Sequence, residues 1–115
     1  MKVNKAILDD ILSQPFFRGR ILSASMSPLI EVGDEILVDV KSEKLKRFDV
    51  IVFVQDDVLV CHYIWRINYI VEPKLIQTRS LLGKHDFPIG FDKYVGKVVS
   101  HSLSFWQILR ILIFY

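Results

Sequence analysis

Three side chains of this sequence have the types that acyl transfer at neutral pH requires, namely a hydroxyl, an imidazole and a carboxylate. Ser25 lies within residues 23–28 (SASMSP), His62 within an apolar stretch and Asp86 within a polar segment. A hydroxyl can attack a carbonyl carbon when a histidine accepts its proton and a carboxylate orients the imidazole ring. Serine, histidine and aspartate occur together in most proteins, so the prediction depends on the local context of each.

The segment around Ser25 is predicted to turn. Pro28 disfavours a helical backbone at Ser27, which keeps the segment extended or turning and places Ser25 outside a regular strand ladder. If the segment is extended, Ser23 projects on the same side as Ser25. Its hydroxyl could then donate to the oxyanion that forms when Ser25 attacks a carbonyl. The alternative interpretation is that both serines only satisfy the backbone amides of a turn.

His62 lies in a predicted strand on the face that also carries Val58, Val60 and Ile64. A histidine among apolar residues is either a buried ring with a backbone partner or a functional group, and both interpretations stay open. Cys61 projects to the opposite face, which makes a Cys–His pair geometrically poor. We predict that Cys61 is a small buried hydrophobic residue.

Asp86 lies within residues 83–88 (GKHDFP). A single aspartate in a loop usually forms a turn, so Asp86 is predicted to be either a turn residue or the carboxylate that orients His62. His62, His85 and His101 share no metal-ligand spacing, and one cysteine adds none. We therefore expect neither a metal nor another cofactor.

The composition predicts one domain with a single core, because the chain has 115 residues, 51% of them hydrophobic. A net charge of +2 is too small to indicate a nucleic-acid partner. The basic residues Lys41, Lys44, Lys46 and Arg47 are interpreted as a solvated loop, with a contact to lipid or nucleic acid as the less favoured alternative. The single cysteine excludes an intramolecular disulfide.

No apolar stretch of signal-peptide length follows Met1, and none reaches the roughly 20 residues of a transmembrane helix. We therefore expect neither a signal peptide nor a transmembrane anchor. Residues 103–115 (LSFWQILRILIFY) come closest. They are interpreted either as a last helix or strand that closes the core, or as a peripheral contact with a membrane interface.

Hydrophobic periodicity predicts a short helix followed by strands. Asn4 is expected to cap a helix that ends before Pro15, and residues 18–20 are expected to form a turn. Strands are predicted over residues 35–40, 49–54, 58–67, 68–71, 75–78 and 94–101, with a hairpin turn at residues 55–57. The run at residues 49–54 (DVIVFV) indicates a strand buried on both faces.

The predicted fold class is therefore mostly β, an antiparallel folded sheet or barrel with a short N-terminal helix. Residues 1–115 are taken as one domain. Within it, residues 1–17 form an N-terminal helical part, residues 20–101 the β core and residues 102–115 the apolar C-terminal segment.

Taken in order, the motifs resemble those of the signal peptidase superfamily of serine proteases, which includes the LexA-like self-cleaving repressors. The matching segments span residues 20–100: SASMSP at 23–28, Gly33-Asp34 before a strand, DVIVF at 49–53, LVCH at 59–62, the loop at 78–86 and YVGKV at 94–98. The chain departs from the family pattern at Phe48, where the family has Gly, at Tyr63, where it has Arg, and at Ser80-Leu81, where it has Gly-Asp.

The resemblance implies that Ser25 is the nucleophile, and that the Ser23 hydroxyl and the Ser25 backbone amide form the oxyanion hole. A histidine at the base position, His62, is typical of the endoplasmic-reticulum and archaeal branch, whereas the other branches have lysine. A lysine base must be strongly desolvated to work near neutral pH, whereas histidine titrates near 6.5 and needs only orientation. Asp86 would supply that orientation.

The implied activity is a serine endopeptidase that cleaves a peptide or preprotein through an acyl-enzyme, with a small side chain before the scissile bond. The changed residues Ser80-Leu81 motivate a second hypothesis, a non-catalytic relative that binds an extended peptide in the same cleft. Self-cleavage is less favoured because the base position carries no lysine and no DNA-binding domain precedes the motifs.

Overall fold

The structure, a computed structural model, describes residues 2–70 and 74–114. Its elements are α1 (Lys5–Leu12), β1 (Phe16–Arg20), β2 (Glu35–Val40), β3 (Val50–Gln55), β4 (Val58–Asn68), β5 (Leu75–Arg79), β6 (Ile89–Gly90), β7 (Tyr94–Val98) and α2 (Phe105–Phe114). The strands form one antiparallel sheet in the order β1-β2-β7-β3-β4-β5-β6. The mostly β class and the helix near the N-terminus are confirmed. Of the two predicted forms, the described strands make an open sheet and not a barrel.

The predicted hairpin is the centre of this sheet. β3 pairs with β4 from Val50↔Tyr63 to Gln55↔Val58, and Asp56 and Asp57 form the two-residue turn. Both turn residues have positive φ, +51° and +62°. Two-residue hairpin turns favour this conformation because it matches the twist of the strands, and aspartate tolerates it better than most residues.

Both faces of the hairpin are covered, as the apolar run at residues 49–54 predicts. One face carries Val50, Val52 and Tyr63, which pack in a cluster with residues of α1, α2 and the segment before β2. The other carries Ile51, Phe53 and Ile64, which pack with β5, β6 and β7. Alternation along the strands therefore sends neighbouring residues into two separate cores.

Two predictions of local structure are wrong. Residues 18–20, expected to turn, belong to β1, which pairs with β2 from Phe16↔Asp39 to Arg20↔Glu35. The sequence of β1 has no clear alternation of apolar and polar residues, so the strand depends on its pairing with β2. Residues 68–71, expected to form a separate strand, do not form one, because β4 ends at Asn68. Oδ1 of Asn68 accepts from the N–H of Ile70 at 3.0 Å, which makes a local turn. Val71 lies outside the described residues.

The termini form the two helices. The N–H of Ile7 donates to Oδ1 of Asn4 at 2.8 Å, which confirms Asn4 as the cap of α1. β7 ends at Val98, earlier than predicted, and the apolar C-terminal segment forms α2, in which Ile111 is buried. In the described part of the chain, no helix is long and apolar enough to cross a membrane.

Candidate active site

The segment before β2 holds Ser25 in a turn, as predicted. The N–H of Ser27 donates to the C=O of Ala24 at 3.0 Å, which turns the chain across Ser25. Met26 and Ile30 anchor this segment because both side chains are almost completely buried in the core. Ser25 itself stays half-buried. The hydroxyl is thus carried by a packed turn outside any strand.

The same segment is closed at its base by the Gly-Asp pair. The N–H of Gly33 donates to the C=O of Ile21 at 2.8 Å, and the N–H of Ile21 donates to the C=O of Asp34 at 2.9 Å. Gly33 has φ +94°, a conformation that side chains with a Cβ rarely adopt. The glycine therefore allows the chain to enter β2 directly after the turn.

His62 lies on β4 opposite Ile51 of β3. Its strand neighbours Val60 and Ile64 pack in one core cluster, whereas Cys61 packs in the other, so the predicted alternation is confirmed. The His62 ring lies edge-on to Phe53, with ring centroids 6.0 Å apart. Its side chain is 7% exposed. Packing therefore restricts the ring to one orientation.

Asp86 reaches His62 because the chain reverses after β5. Residues 80–84 form a closed loop, in which the N–H of Ser80 donates to the C=O of Lys84 at 2.9 Å and the N–H of Lys84 donates to Oγ of Ser80 at 3.1 Å. Gly83 has φ +90° within this loop. The returning chain then pairs Arg79 with His85 and places Asp86 beside Thr78. Ser80 thus builds the loop where the family has Gly-Asp.

The structure brings the three predicted side chains together in one chain of hydrogen bonds. Oγ of Ser25 lies 3.2 Å from Nε2 of His62. Nδ1 of His62 lies 2.5 Å from Oδ2 of Asp86. With Asp86 ionised, the proton of the neutral ring belongs on Nδ1, which donates to the carboxylate and leaves Nε2 to accept from Ser25.

The carboxylate of Asp86 is held in its ionised form. Burial alone would raise its pKa, since the side chain is 3% exposed. The hydrogen bonds from His62 and Thr78, with the charges of His62 and Lys84, outweigh burial and lower the pKa of Asp86 below its ordinary value. Asp86 therefore carries negative charge at neutral pH and stabilises the proton on Nδ1 of His62.

The two groups implied as oxyanion donors lie against each other. The backbone N–H of Ser25 donates to Oγ of Ser23 at 3.2 Å. Ser23 accepts in this bond, so its own hydroxyl proton remains available as a donor. This bond holds the Ser23 hydroxyl next to the backbone of Ser25. It also fits the alternative interpretation, in which Ser23 only satisfies a turn amide.

Sequence reasoning missed two contacts that build this site. Oγ1 of Thr78 donates to Oδ2 of Asp86 at 2.8 Å, and the N–H of Leu81 donates to the C=O of Ser25 at 2.9 Å. Thr78 is fully buried, and a buried hydroxyl needs a partner. For Thr78, the need of a buried hydroxyl for a partner was the one signal from which its contact could have been predicted. The Leu81 contact involves only backbone atoms, so no side-chain pattern could indicate it.

The other nucleophile and ligand types do not join the site. Burial raises the pKa of the Cys61 thiol to about 12, which keeps it protonated and unreactive at neutral pH. Among the described residues, no group of three His, Cys, Asp or Glu side chains is arranged to hold a metal ion.

A mostly apolar cavity of about 400 Å³ opens beside Ser25 and His62. Residues of β1, the segment 21–26, β4 and the loop after β5 line it. A cavity of this size is within the range of ligand-binding sites.

In comparisons with known proteins, no family model, no curated protein and no solved structure matches this chain.

Proposed function

We propose that this protein is a serine endopeptidase of the signal peptidase type, with Ser25 as nucleophile, His62 as base and Asp86 as the group that orients the base. The observation that carries the proposal is the hydrogen-bond chain from Ser25 through His62 to Asp86, at 3.2 and 2.5 Å. Its side chains come from three separate segments and meet beside an open cavity.

In the proposed reaction, Oγ of Ser25 attacks the carbonyl carbon of a peptide bond while Nε2 of His62 takes the hydroxyl proton. Asp86 stabilises the resulting imidazolium through Nδ1. The tetrahedral intermediate then collapses as Nε2 returns the proton to the leaving amine, which gives an acyl-enzyme on Ser25. A water molecule, activated by the same histidine, hydrolyses the ester and regenerates Ser25.

The oxyanion of that intermediate would be stabilised by the hydroxyl of Ser23, and by the backbone N–H of Ser25 once substrate binding releases it from Oγ of Ser23. Because this N–H donates to Oγ of Ser23 at 3.2 Å, Ser23 is already positioned next to the nucleophile. Removing one such donor costs about 2.7–4 kcal/mol of transition-state stabilisation in comparable sites.

An extended substrate backbone has a pairing surface on β4. The backbone groups of Ile64 face the β3 side, because its N–H donates to the C=O of Asp49 and its C=O accepts from the N–H of Phe48. Backbone groups point alternately to the two sides of a strand, so those of Cys61, three residues earlier, face away from β3. β5 pairs with β4 only from Tyr63 onward, so among the described strands none pairs with Cys61 on that side. A peptide added at this edge would run past Ser25 and His62.

The family and fold type belong to the same proposal. The signal-peptidase-like motifs at residues 23–28, 59–62 and 78–86 are distant in the sequence, and their convergence at one cavity supports a relationship to the endoplasmic-reticulum and archaeal branch. The peptide-binding edge of β4 equally favours the second candidate, a relative that binds an extended peptide without cleaving it. Catalysis distinguishes the two.

The test is cleavage of a defined mixture of synthetic peptides, with new termini identified by mass spectrometry. We expect the wild-type protein to cleave and the Ser25→Ala and His62→Gln variants to lose cleavage, with Ser25→Ala keeping the wild-type melting temperature. Ser27→Ala is the matched control, because Oγ of Ser27 donates to Glu31 in the same turn and not to His62. Cleavage that survives Ser25→Ala would reject the proposal. If the protein binds peptides and cleaves none of them, it is the second candidate, the non-catalytic relative that binds an extended peptide.

A further inference from the structure

The cavity beside Ser25 and His62 is larger than a site for a methyl group requires. Its inner surface is formed by side chains that are almost completely buried, among them Met26, Ile36 and Val52. With a volume of about 400 Å³, it would hold on the order of ten water molecules, since each occupies about 30 Å³ in the liquid. A small substrate side chain would leave most of this space unfilled.

The walls of the cavity are set by small groups at Gly19 and Cys61. The ring of Phe17 packs against Gly19 so closely that a Cβ at position 19 would lie 3.0 Å from its Cε1 atom. Cys61 lines the cavity beside His62, and its thiol is protonated because burial raises its pKa to about 12. Both walls are therefore apolar, and a larger residue at Cys61 would occupy the space.

The entrance has a positive charge. Arg20 and Lys84 line the cavity and are exposed, whereas the described lining residues include no aspartate or glutamate. Nη1 of Arg20 donates to the C=O of Gly33 at 2.7 Å, which holds the guanidinium in place. The charge of Lys84 already acts on the site, because it helps to lower the pKa of Asp86. An acidic group on a substrate would meet attraction at both positions.

Resting on the proposed function, we propose that the preferred substrate is an extended peptide that places a large apolar side chain, such as Leu, Met or Phe, in the cavity and an acidic side chain near Arg20 and Lys84. Burying a large apolar side chain in a mostly apolar cavity is favourable. A peptide with alanine or glycine at the same position forgoes that burial. This selection differs from the small side chain that the family resemblance implies.

The first measurement identifies the residues around each bond cleaved by the wild-type protein in an equimolar peptide library. We expect at least tenfold enrichment of Leu, Met or Phe over Ala at one position next to the cleaved bond, since each methylene in an apolar pocket changes selection about 10–200-fold. We also expect Asp and Glu to be enriched about two- to fivefold nearby, the size typical of exposed ion pairs. Enrichment of Ala, Gly or Ser instead would overturn the inference and leave the proposed function intact.

Variants connect the selection to the cavity. Cys61→Phe fills it and should shift the preference to Ala or Ser, whereas Cys61→Ser keeps the volume and should keep the preference for large residues. If Cys61→Phe does not fold, Cys61→Leu fills less of the cavity and should reduce the preference for large residues. Lys84→Gln should weaken the acidic preference and keep the preference for a large apolar residue. An unchanged preference in a folded cavity-filling variant would contradict the proposal.

A binding measurement separates this inference from the failure of the proposed function. The Ser25→Ala variant, immobilised, is exposed to the same library, and the retained peptides are identified. Retention of peptides with a large apolar and an acidic residue supports the cavity assignment even if the wild-type protein cleaves nothing. Retention without this selection overturns it, whatever the wild-type protein cleaves.

Discussion

Thr78 and Asp86 are joined by two hydrogen bonds. The N–H of Asp86 donates to the C=O of Thr78 at 3.1 Å, and the hydroxyl of Thr78 donates to Oδ2 of Asp86 at 2.8 Å. The same oxygen accepts from Nδ1 of His62. The position of the carboxylate relative to the imidazole is therefore set by β5, a strand of the sheet, and not by the loop alone.

Removal of the Thr78 hydroxyl should weaken this arrangement. Thr78→Val keeps the side-chain shape but leaves the buried carboxylate one donor short, which should cost about 1.5–3 kcal/mol of unfolding free energy. The pKa of Asp86 should also rise, because one of the groups that lowers it is lost. Urea denaturation and NMR titration of the carboxyl carbon measure the two effects. Thr78→Ser retains the hydroxyl and should preserve the low pKa. An unchanged pKa in Thr78→Val would contradict this view of the site.

Asp86→Asn should affect catalysis far more than folding at neutral pH. The amide can present its NH₂ group to the ring, which favours the tautomer with the proton on Nε2 and so removes the acceptor for Ser25. In serine proteases with this arrangement such a change lowers kcat by about 10⁴. The measurement is kcat on a peptide that the wild-type protein cleaves. A loss of less than about tenfold would show that Asp86 is not needed to orient His62.

The stability of the fold should also depend on pH through Asp86. Because the folded protein lowers the pKa of this carboxyl from 3.8, the ionised form stabilises the folded state. This contribution is complete above the pKa of the unfolded chain and is lost as the pH falls through the lower, folded value. We therefore expect the difference in unfolding free energy between the wild type and Asp86→Asn to shrink below about pH 4. A difference that grows on acidification would contradict the assigned direction.

Phe48 should show an unusual order of substitutions. It has φ +74°, where the family pattern has glycine, and its ring packs against Tyr63 and Trp65. Phe48→Ala loses the packing and keeps the strain, which is about 1–2 kcal/mol per residue. Phe48→Gly loses the packing but relieves the strain. Phe48→Gly should therefore be the more stable by about 0.5–1 kcal/mol, after the entropy of glycine is included.

Thermal denaturation of both Phe48 variants measures that difference. Gln77, in the middle of β5 with no positive φ, is the control position. There the order should reverse, with Gln77→Ala more stable than Gln77→Gly. The same order at both positions would show that the backbone at Phe48 is not strained.

The exposed side of α2 should bind lipid surfaces, as one interpretation of the sequence predicts. Phe105, Trp106 and Phe114 are 70%, 74% and 72% exposed, and Arg110 is exposed on the same helix. Apolar side chains beside a basic residue favour the interface of an anionic membrane. We expect co-sedimentation with vesicles that contain phosphatidylglycerol, together with a blue shift of the emission in a Trp65→Phe background, where Trp106 is the remaining tryptophan.

The Ile113→Ser/Phe114→Ser double variant should lose this binding. Phe87→Ser is the control, because Phe87 is 83% exposed but lies outside α2. Equal loss in the control would indicate nonspecific adsorption, and no sedimentation of the wild type would exclude the membrane interpretation.

The central hairpin was predictable because its signals are local. The apolar run of β3, the Asp56-Asp57 turn and the alternation of β4 each depend on neighbouring residues. β1 was not predictable, because the segment from Phe16 to Arg20 becomes a strand only by pairing with β2. The choice between an open sheet and a barrel depends on which edges meet, and no local pattern contains that information.

The candidate site was predicted as three residues and not as a connected structure. Ser25, His62 and Asp86 could be selected by type and by the order of the motifs, but their contacts arise from the tertiary fold. The departure from the Gly-Asp pattern at Ser80-Leu81 motivated the hypothesis of a non-catalytic relative. In the structure, Ser80 closes the loop after β5 with its own hydroxyl, which accepts from the N–H of Lys84 at 3.1 Å. The side chain present at position 80 thus closes the loop without the Gly-Asp pair.

The backbone bond from Leu81 to Ser25, at 2.9 Å, connects the turn that carries the hydroxyl to the loop that leads to the carboxylate. If this bond breaks, both segments lose a common support at the same moment. Warming should then inactivate the protein in a single early step while the hairpin remains intact, so amides of the two segments should exchange with deuterium as one group, ahead of those in β3 and β4.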